Sequence, residues 1–347
     1  MSGEVRVCFS VQTEPRGSRL KPIRLNNSGG TVRGLQAEAG VLSWRTEQAV
    51  TLEAGQVRVR IHAAGINRAD LLQKAGFYPP PPGVTDILGL ECAGEVVEVS
   101  GETRWQPGDR VCALLAGGGM ADEVVVDARH LLPVPRGMSW EDAAAILEVF
   151  STAWLNVFEL GAAQPGEKVL IHAGASGVGT AAIQLCKAFG NPCWVSLGSQ
   201  EKLDTCKALG AEGGVLRHAG IAELKDFGPF DVALDPVGAN YAAEHLDLLA
   251  LDGRWVMIGL MGGRNAELDL AKILVKRLQL TGSTLRTRTS DFKAGLLARM
   301  EERLWPLFET GELKPLVART YSFDQAEEAF AELARDQIVG KIVLVNT

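Results

Sequence analysis

The stretch KVLIHAGASGVGTAAIQLCKAFG, residues 168–190, decides the fold. Its first six residues read as a compact apolar strand. Glycines follow at 174, 177 and 179, and then Val178, Ala181, Ala182, Leu185 and Phe189 recur at helical spacing. A strand, a glycine turn and a helix in that order satisfy the three demands of a pyrophosphate. The turn must be sharp, the backbone must approach the anion without a Cβ in the way, and a helix N-terminus must offer free N–H groups. Gly177 and Gly179 stand where those demands fall, so Gly174, Ala175, Ser176, Gly177, Val178 and Gly179 form the expected phosphate cradle. Glycines alone would also describe a plain βα turn; the flanking strand and helix supply the context for a dinucleotide.

Beyond the cradle, the runs CWVSL (193–197), FDVALD (230–235), RWVMIG (254–259) and LQLTG (278–282) alternate with helical stretches. Continuous apolar strands separated by helices predict a parallel sheet covered on both faces. Dinucleotide sites that take NAD place a carboxylate at the end of the second strand, on the ribose hydroxyls. Here the chain reads Gly198, Ser199 and Gln200, with Lys202 one turn into the next helix and Arg217 just past the third strand. Ordinary solvated charges would account for either cation alone. With the carboxylate missing, a 2′-phosphate fits better, and the expected cofactor is NADPH. Glu201 is the counter-argument, since it could serve as a displaced ribose acceptor; its neighbour Lys202 points about 100° away around the helix.

Upstream the grammar differs. VRVRI (57–61) alternates with the period of a half-buried strand, and CAGEVVEV (92–99), DRVCALL (109–115) and DEVVV (122–126) follow between glycine and proline punctuation, predicting a barrel-like antiparallel domain. YPPPPG (78–83) can be neither helix nor central strand. After about residue 288 two amphipathic helices and a last strand, GKIVLV (340–345), return to this first part. The 347 residues thus divide into two domains. A net charge of −7 argues against nucleic acid as the ligand and favours small molecules. Six cysteines without a CxxC pair read as buried thiols of a reducing compartment. No uninterrupted apolar run reaches the ~20 residues of a membrane span, so the expected location is cytoplasmic. Residues 1–33 are basic, acid-poor and aperiodic, and are expected to be a poorly ordered extension; a transit peptide is the other reading.

The segments 66–83, 88–100, 108–111, 169–190 and 252–263, taken together, resemble the quinone oxidoreductase branch of the medium-chain dehydrogenase/reductase superfamily, with the tumour-suppressor-induced quinone oxidoreductase group as the best match. The resemblance spans roughly residues 34 to 345. It implies an α/β protein in which a doubly wound Rossmann domain (148–287) is inserted into a GroES-like, mostly β catalytic domain (34–147 and 288–347), with the active site between them and a homodimer as the assembly. It also implies cofactor contacts from the 174–179 turn, Thr152, Ser199, Lys202, Gly259, Leu260, Met261, Leu285 and Arg286. Arg217 replaces a tyrosine of related chains. Asn67 and Tyr78 are placed on the cleft wall, where an amide and a phenol could hold the oxygen of an acceptor as charge develops on it.

Zinc enzymes of this superfamily need a cysteine where Asn67 stands and a histidine where Leu90 stands, and neither ligand is present. No metal is therefore expected. The implied activity is NADPH-dependent reduction of a quinone. Reduction of enals, enones or enoyl thioesters is the alternative on the same scaffold, and a non-catalytic NADPH-binding role is the alternative of another class. His172, inside an apolar strand, reads as a satisfied core histidine.

Overall fold

The computed structural model describes residues 30–346. Six parallel strands form one sheet in the spatial order Gly213–Leu216, Cys193–Leu197, Val169–His172, Phe230–Asp235, Leu249–Met257, Gln279–Gly282. Numbered along the chain within this sheet, that order is 3-2-1-4-5-6, the doubly wound Rossmann arrangement. Its switch point lies between Val169–His172 and Phe230–Asp235. Both faces are covered because alternate residues of each strand enter different cores. Val169, Ile171, Val195 and Val232 pack with Ala181, Leu185, Leu203 and Cys206 of the helices Gly177–Ala188 and Gln200–Leu209. Leu170, Ala233, Phe230 and Trp255 pack with Leu246 of the helix Ala242–Leu248 on the other side.

The second sheet runs Val317–Ser322, Lys341–Val345, Gln56–Ile66, Glu91–Val99, Arg110–Leu114, Leu131–Pro133, with Glu123–Asp127 also on Gln56–Ile66. All these pairings are antiparallel except that of Val317–Ser322 with Lys341–Val345. The alternation at 57–61 has the predicted consequence: Val57, Val59 and Ile61 are fully buried, while Arg58 turns outward to Glu98 at 2.9 Å. The eleven-residue strand Gln56–Ile66 divides its length between partners, Glu123–Asp127 on its first half and the final strand on its second.

One sequence expectation is corrected. Most of the 1–33 extension lies outside the described residues, but Thr31–Arg33 already belong to a strand, Thr31–Glu38, which pairs with Val41–Gln48 as a hairpin. The run Trp140–Leu160 is a helical stretch long and apolar enough, by length and composition, to cross a bilayer; 72% of its most apolar 18-residue window is buried inside the protein, as a core helix is. Its middle portion, Leu147–Trp154, joins the core shared by the two sheets.

Candidate active site in the interdomain cleft

The phosphate turn is built by close approach. Ser176 caps the helix Gly177–Ala188, its Oγ accepting the Gly179 N–H at 3.0 Å. The other N–H groups of the first turn have no partner within the helix and are available to an anion. A Cβ on Gly179 would come within 2.5 Å of the Gly174 carbonyl oxygen, one on Gly174 within 2.5 Å of Val195, and one on Gly177 within 2.6 Å of the Lys341 stem. The final strand is tied to the turn, since the Gly340 N–H donates to the Ala175 oxygen at 2.9 Å. Ala175 is buried, whereas Val178 remains half-buried beside it. A cradle of this kind, closed to side chains and open to N–H groups, fits the diphosphate of a dinucleotide.

At the adenosine end the structure brings Gly198, Ser199, Lys202 and Arg217 together. Ser199 caps the helix Gln200–Leu209. The Arg217 guanidinium lies over Gly198, its Nη2 3.4 Å from where a Cβ would stand. A residue that sequence reasoning missed completes the cluster. Asp336, from the segment before the final strand, accepts from Arg217 Nη2 at 2.8 Å through Oδ2, and its backbone oxygen accepts from Lys202 Nζ at 2.5 Å.

The helix Leu147–Trp154 stands against the phosphate turn, Val149 Cγ1 lying 3.1 Å from where a Cβ on Gly177 would stand. Every residue of this helix is buried except Glu148 and Thr152, which stand one turn apart on the same side. Glu91 lies behind Glu148: its Oε2 accepts the Glu148 backbone N–H at 3.0 Å, and its Oε1 receives Lys341 Nζ at 2.7 Å and Asn67 Nδ2 at 3.0 Å. Burial pushes the Glu148 carboxyl up to about 8, helped by the neighbouring Glu91 and Asp70 and opposed by Lys341 and Lys293. That shift favours the protonated acid at neutral pH, and the side chain is half-buried. Burial likewise raises Tyr78, with Glu148 adding to the effect and Arg286 opposing it.

Asn67 departs from the expectation that its amide faces the acceptor. Its Nδ2 is engaged by Glu91 and its Oδ1 accepts from Lys341 Nζ at 2.5 Å, so donors and acceptor alike serve a buried network. Arg286 is also held by the protein. It donates to the oxygens of Ala116, Tyr78 and Gln73 at 2.7, 3.2 and 2.8 Å and stacks 5.2 Å over the Tyr78 ring. Leu285 is buried in the core next to it. Gly259, just past the strand Leu249–Met257, lies against Pro236, and Leu260 and Met261 are exposed. His172 is a core residue, bonded to Ser196 Oγ at 2.6 Å and to His245 Nε2 at 2.7 Å. Among the described residues no cluster of three or more His, Cys, Asp and Glu side chains is placed to hold a metal ion.

Glu148, Glu91, Lys341 and Asp336 carry this site without having been singled out from the sequence. A faint signal existed for two of them, a lone acid inside the apolar run 143–150 and a lysine opening an apolar strand.

Comparison with known proteins agrees with this geometry. Residues 53–136 match the alcohol dehydrogenase GroES-like domain, and residues 177–302 match the zinc-binding dehydrogenase family. The human synaptic vesicle membrane protein VAT-1 homolog is 30% identical over 310 residues, 84% of this chain and 79% of its own. The polyketide synthase GfsB of Streptomyces halstedii is 36% identical over 298 residues, 84% of this chain but 5% of that much longer protein. Among solved structures, the quinone oxidoreductase from Thermus thermophilus, solved also in complex with NADPH, superposes with a TM-score of 0.77 at 32% identity, covering 91% of this chain and 100% of its own. The CurK enoyl reductase superposes with a TM-score of 0.79 at 28% identity, covering 91% and 99%. A GroES-like β domain joined to a Rossmann domain, with a phosphate turn at the switch point and relatives of this extent, makes the chain a member of the medium-chain dehydrogenase/reductase family of oxidoreductases.

Proposed function

We propose that this oxidoreductase is an NADPH-dependent quinone reductase. The observation that carries the reading is the pairing of Glu148 and Thr152 on the one half-buried face of an otherwise buried helix, with Glu148 near enough to raise Tyr78 and Val149 of the same helix against Gly177 of the phosphate turn. The 174–179 turn would hold the diphosphate, Ser199, Lys202 and Arg217 the adenosine end, and Thr152 the carboxamide end. When bound, the dihydronicotinamide supplies a hydride. A quinone that has taken up a hydride carries an oxyanion, which needs hydrogen-bond donors and then a proton. The Tyr78 hydroxyl is the donor and the Glu148 carboxyl gives the proton, to be reloaded from solvent through its exposed edge. Asn67 and Lys341 hold Glu91, and Glu91 in turn holds the backbone of Glu148. In this reading all three are positioning residues.

A second acceptor class is favoured by the same carboxylic acid. Hydride addition to an enone or enoyl thioester leaves an enolate, which likewise requires an acid nearby, and the likeness to an enoyl reductase supports it. NADPH deuterated at the transferable C4 position separates the two. Oxidation by 9,10-phenanthrenequinone is expected to show a primary isotope effect with no label retained on carbon. A 2-alkenal reduced at a higher kcat/KM, with deuterium fixed in its carbon chain, would reverse the order.

We also propose a homodimer. Leu270, Leu274 and Val275 are 57%, 78% and 70% exposed on the helix Leu270–Lys276, next to the open edge strand Gln279–Gly282 of the parallel sheet. A second copy of this chain would cover both. Light scattering of Leu274→Glu, expected to yield monomer, tests the surface. The five described cysteines are buried free thiols, which suits a reducing cytoplasm.

A further inference from the structure

The Lys202–Arg217 pair at the end of the second Rossmann strand is not empty of negative charge. Asp336 reaches it from the other domain, although 134 residues separate it from Lys202 in sequence. Its Oδ2 lies 2.8 Å from Arg217 Nη2 and its Oδ1 3.8 Å from Lys202 Nζ. Its backbone is left-handed, with φ 54°, a conformation that a non-glycine residue keeps only where its surroundings hold it. Asp336 ends the helix Ala326–Ala334, its N–H donating to the Leu333 oxygen at 3.3 Å, and Lys202 Nζ in addition grips the Asp336 carbonyl oxygen.

We infer that Asp336 is the cofactor-specificity gate of this protein: its carboxylate occupies the position of a 2′-phosphate between Lys202 and Arg217 and competes with it. The inference rests on reading the 174–179 turn as a dinucleotide site. Its chemistry is that of one anion replacing another. A phosphate monoester carries about −1.5 to −2 and three acceptor oxygens, so it outbids a single carboxylate for two cations, but only after the carboxylate has left. An adenosine ribose without the phosphate brings neutral hydroxyls, which can donate to Asp336 where it stands, as they would to the carboxylate that the second strand lacks. Asp336 therefore narrows the preference that Lys202 and Arg217 alone would create. The segment that carries it runs directly into Gly340 and Lys341, which touch the Ala175 carbonyl and the Asn67–Glu91 network, so the gate sits on the strand that also supports the cleft.

The test measures equilibrium binding of four probes, NADPH, NADH, 2′,5′-ADP and 5′-ADP, by calorimetry, on the unmodified full chain and on Asp336→Asn and Asp336→Gly. Glycine adopts the left-handed backbone freely, so the second variant guards against misfolding of the first. Both variants are expected to bind NADPH and 2′,5′-ADP roughly three- to tenfold more tightly, with NADH and 5′-ADP unchanged or weaker. Binding of all probes with an unchanged ratio of phosphorylated to unphosphorylated affinity in both variants would overturn the gate alone. Failure of every form to bind any probe would overturn the dinucleotide reading and the gate with it.

Discussion

Lys341 and Glu91 form an ion pair at 2.7 Å with 4% and 1% of their side chains exposed, and the stem of the same lysine passes beneath Gly177 of the phosphate turn. One side chain thus joins the Rossmann turn, the final strand and the floor of the cleft. A buried pair is weak evidence of net stabilisation, but removing one partner strands the other charge in the interior. Lys341→Met is expected to lower the unfolding free energy by about 3–5 kcal/mol in urea titrations, with Lys341→Met/Glu91→Gln recovering part of the loss. A single variant as stable as the unmodified chain would show the pair to be idle.

The raised Glu148 fixes a pH dependence. Below about 8 its carboxyl holds a proton, and above that value the proton is lost and with it the acid. The turnover rate should fall on the alkaline side of this value, about tenfold per pH unit. Glu148→Gln is expected to cut kcat by at least about a hundredfold at pH 7 and to erase that limb, while NADPH affinity stays unchanged. An alkaline limb that persists in the variant would assign the proton elsewhere.

Gly179 has rigid backbone on its inner side, with the Gly174 and Ala173 oxygens 2.5 and 2.6 Å from where a Cβ would stand. Gly179→Ala should therefore push the helix start away from the turn, at a cost of about 1–3 kcal/mol of stability and with a marked rise in the Kd for dinucleotide. Gly166→Ala meets nothing within 4 Å but has φ 86°, so it should affect stability modestly and leave the Kd alone.

The positions where relatives need zinc ligands hold Asn67 and Leu90, and Asn67 is committed to Glu91 and Lys341. Prolonged dialysis against EDTA is expected to leave reductase activity unchanged, and elemental analysis should find less than stoichiometric zinc. Activity that is lost on chelation and restored by zinc would contradict this.

How much of this was legible in the sequence depends on the range of the interaction. The strands at 57, 92, 169, 193 and 230 could be read because an alternating or continuous apolar pattern is a local record of burial. The phosphate turn could be read because its glycines answer to atoms a few residues away. Glu148 and Thr152 share a face through helical spacing, yet nothing local reveals that this face, alone on its helix, is only half-buried. Lys341 meets the amide of Asn67 across 274 residues, and Asp336 meets Lys202 across 134. The first contact follows from the pairing of the final strand with Gln56–Ile66 and the second from how the two domains meet, and periodicity encodes neither. Asn67 shows the converse: the right residue could be named, but the partners that occupy its amide could not.

The central claim is that a dihydronicotinamide held on the 174–179 turn reduces a conjugated acceptor in the cleft beside Glu148 and Tyr78. The most direct measurement is the initial rate of NADPH oxidation by the purified full chain with 1,2-naphthoquinone and 9,10-phenanthrenequinone, run beside crotonyl thioester and 2-hexenal at matched concentrations. The account predicts quinone turnover with a kcat/KM at least about tenfold above that of either other acceptor, lowered by Tyr78→Phe and by Glu148→Gln. NADPH binding without turnover of any acceptor, or quinone rates untouched by both substitutions, would contradict it.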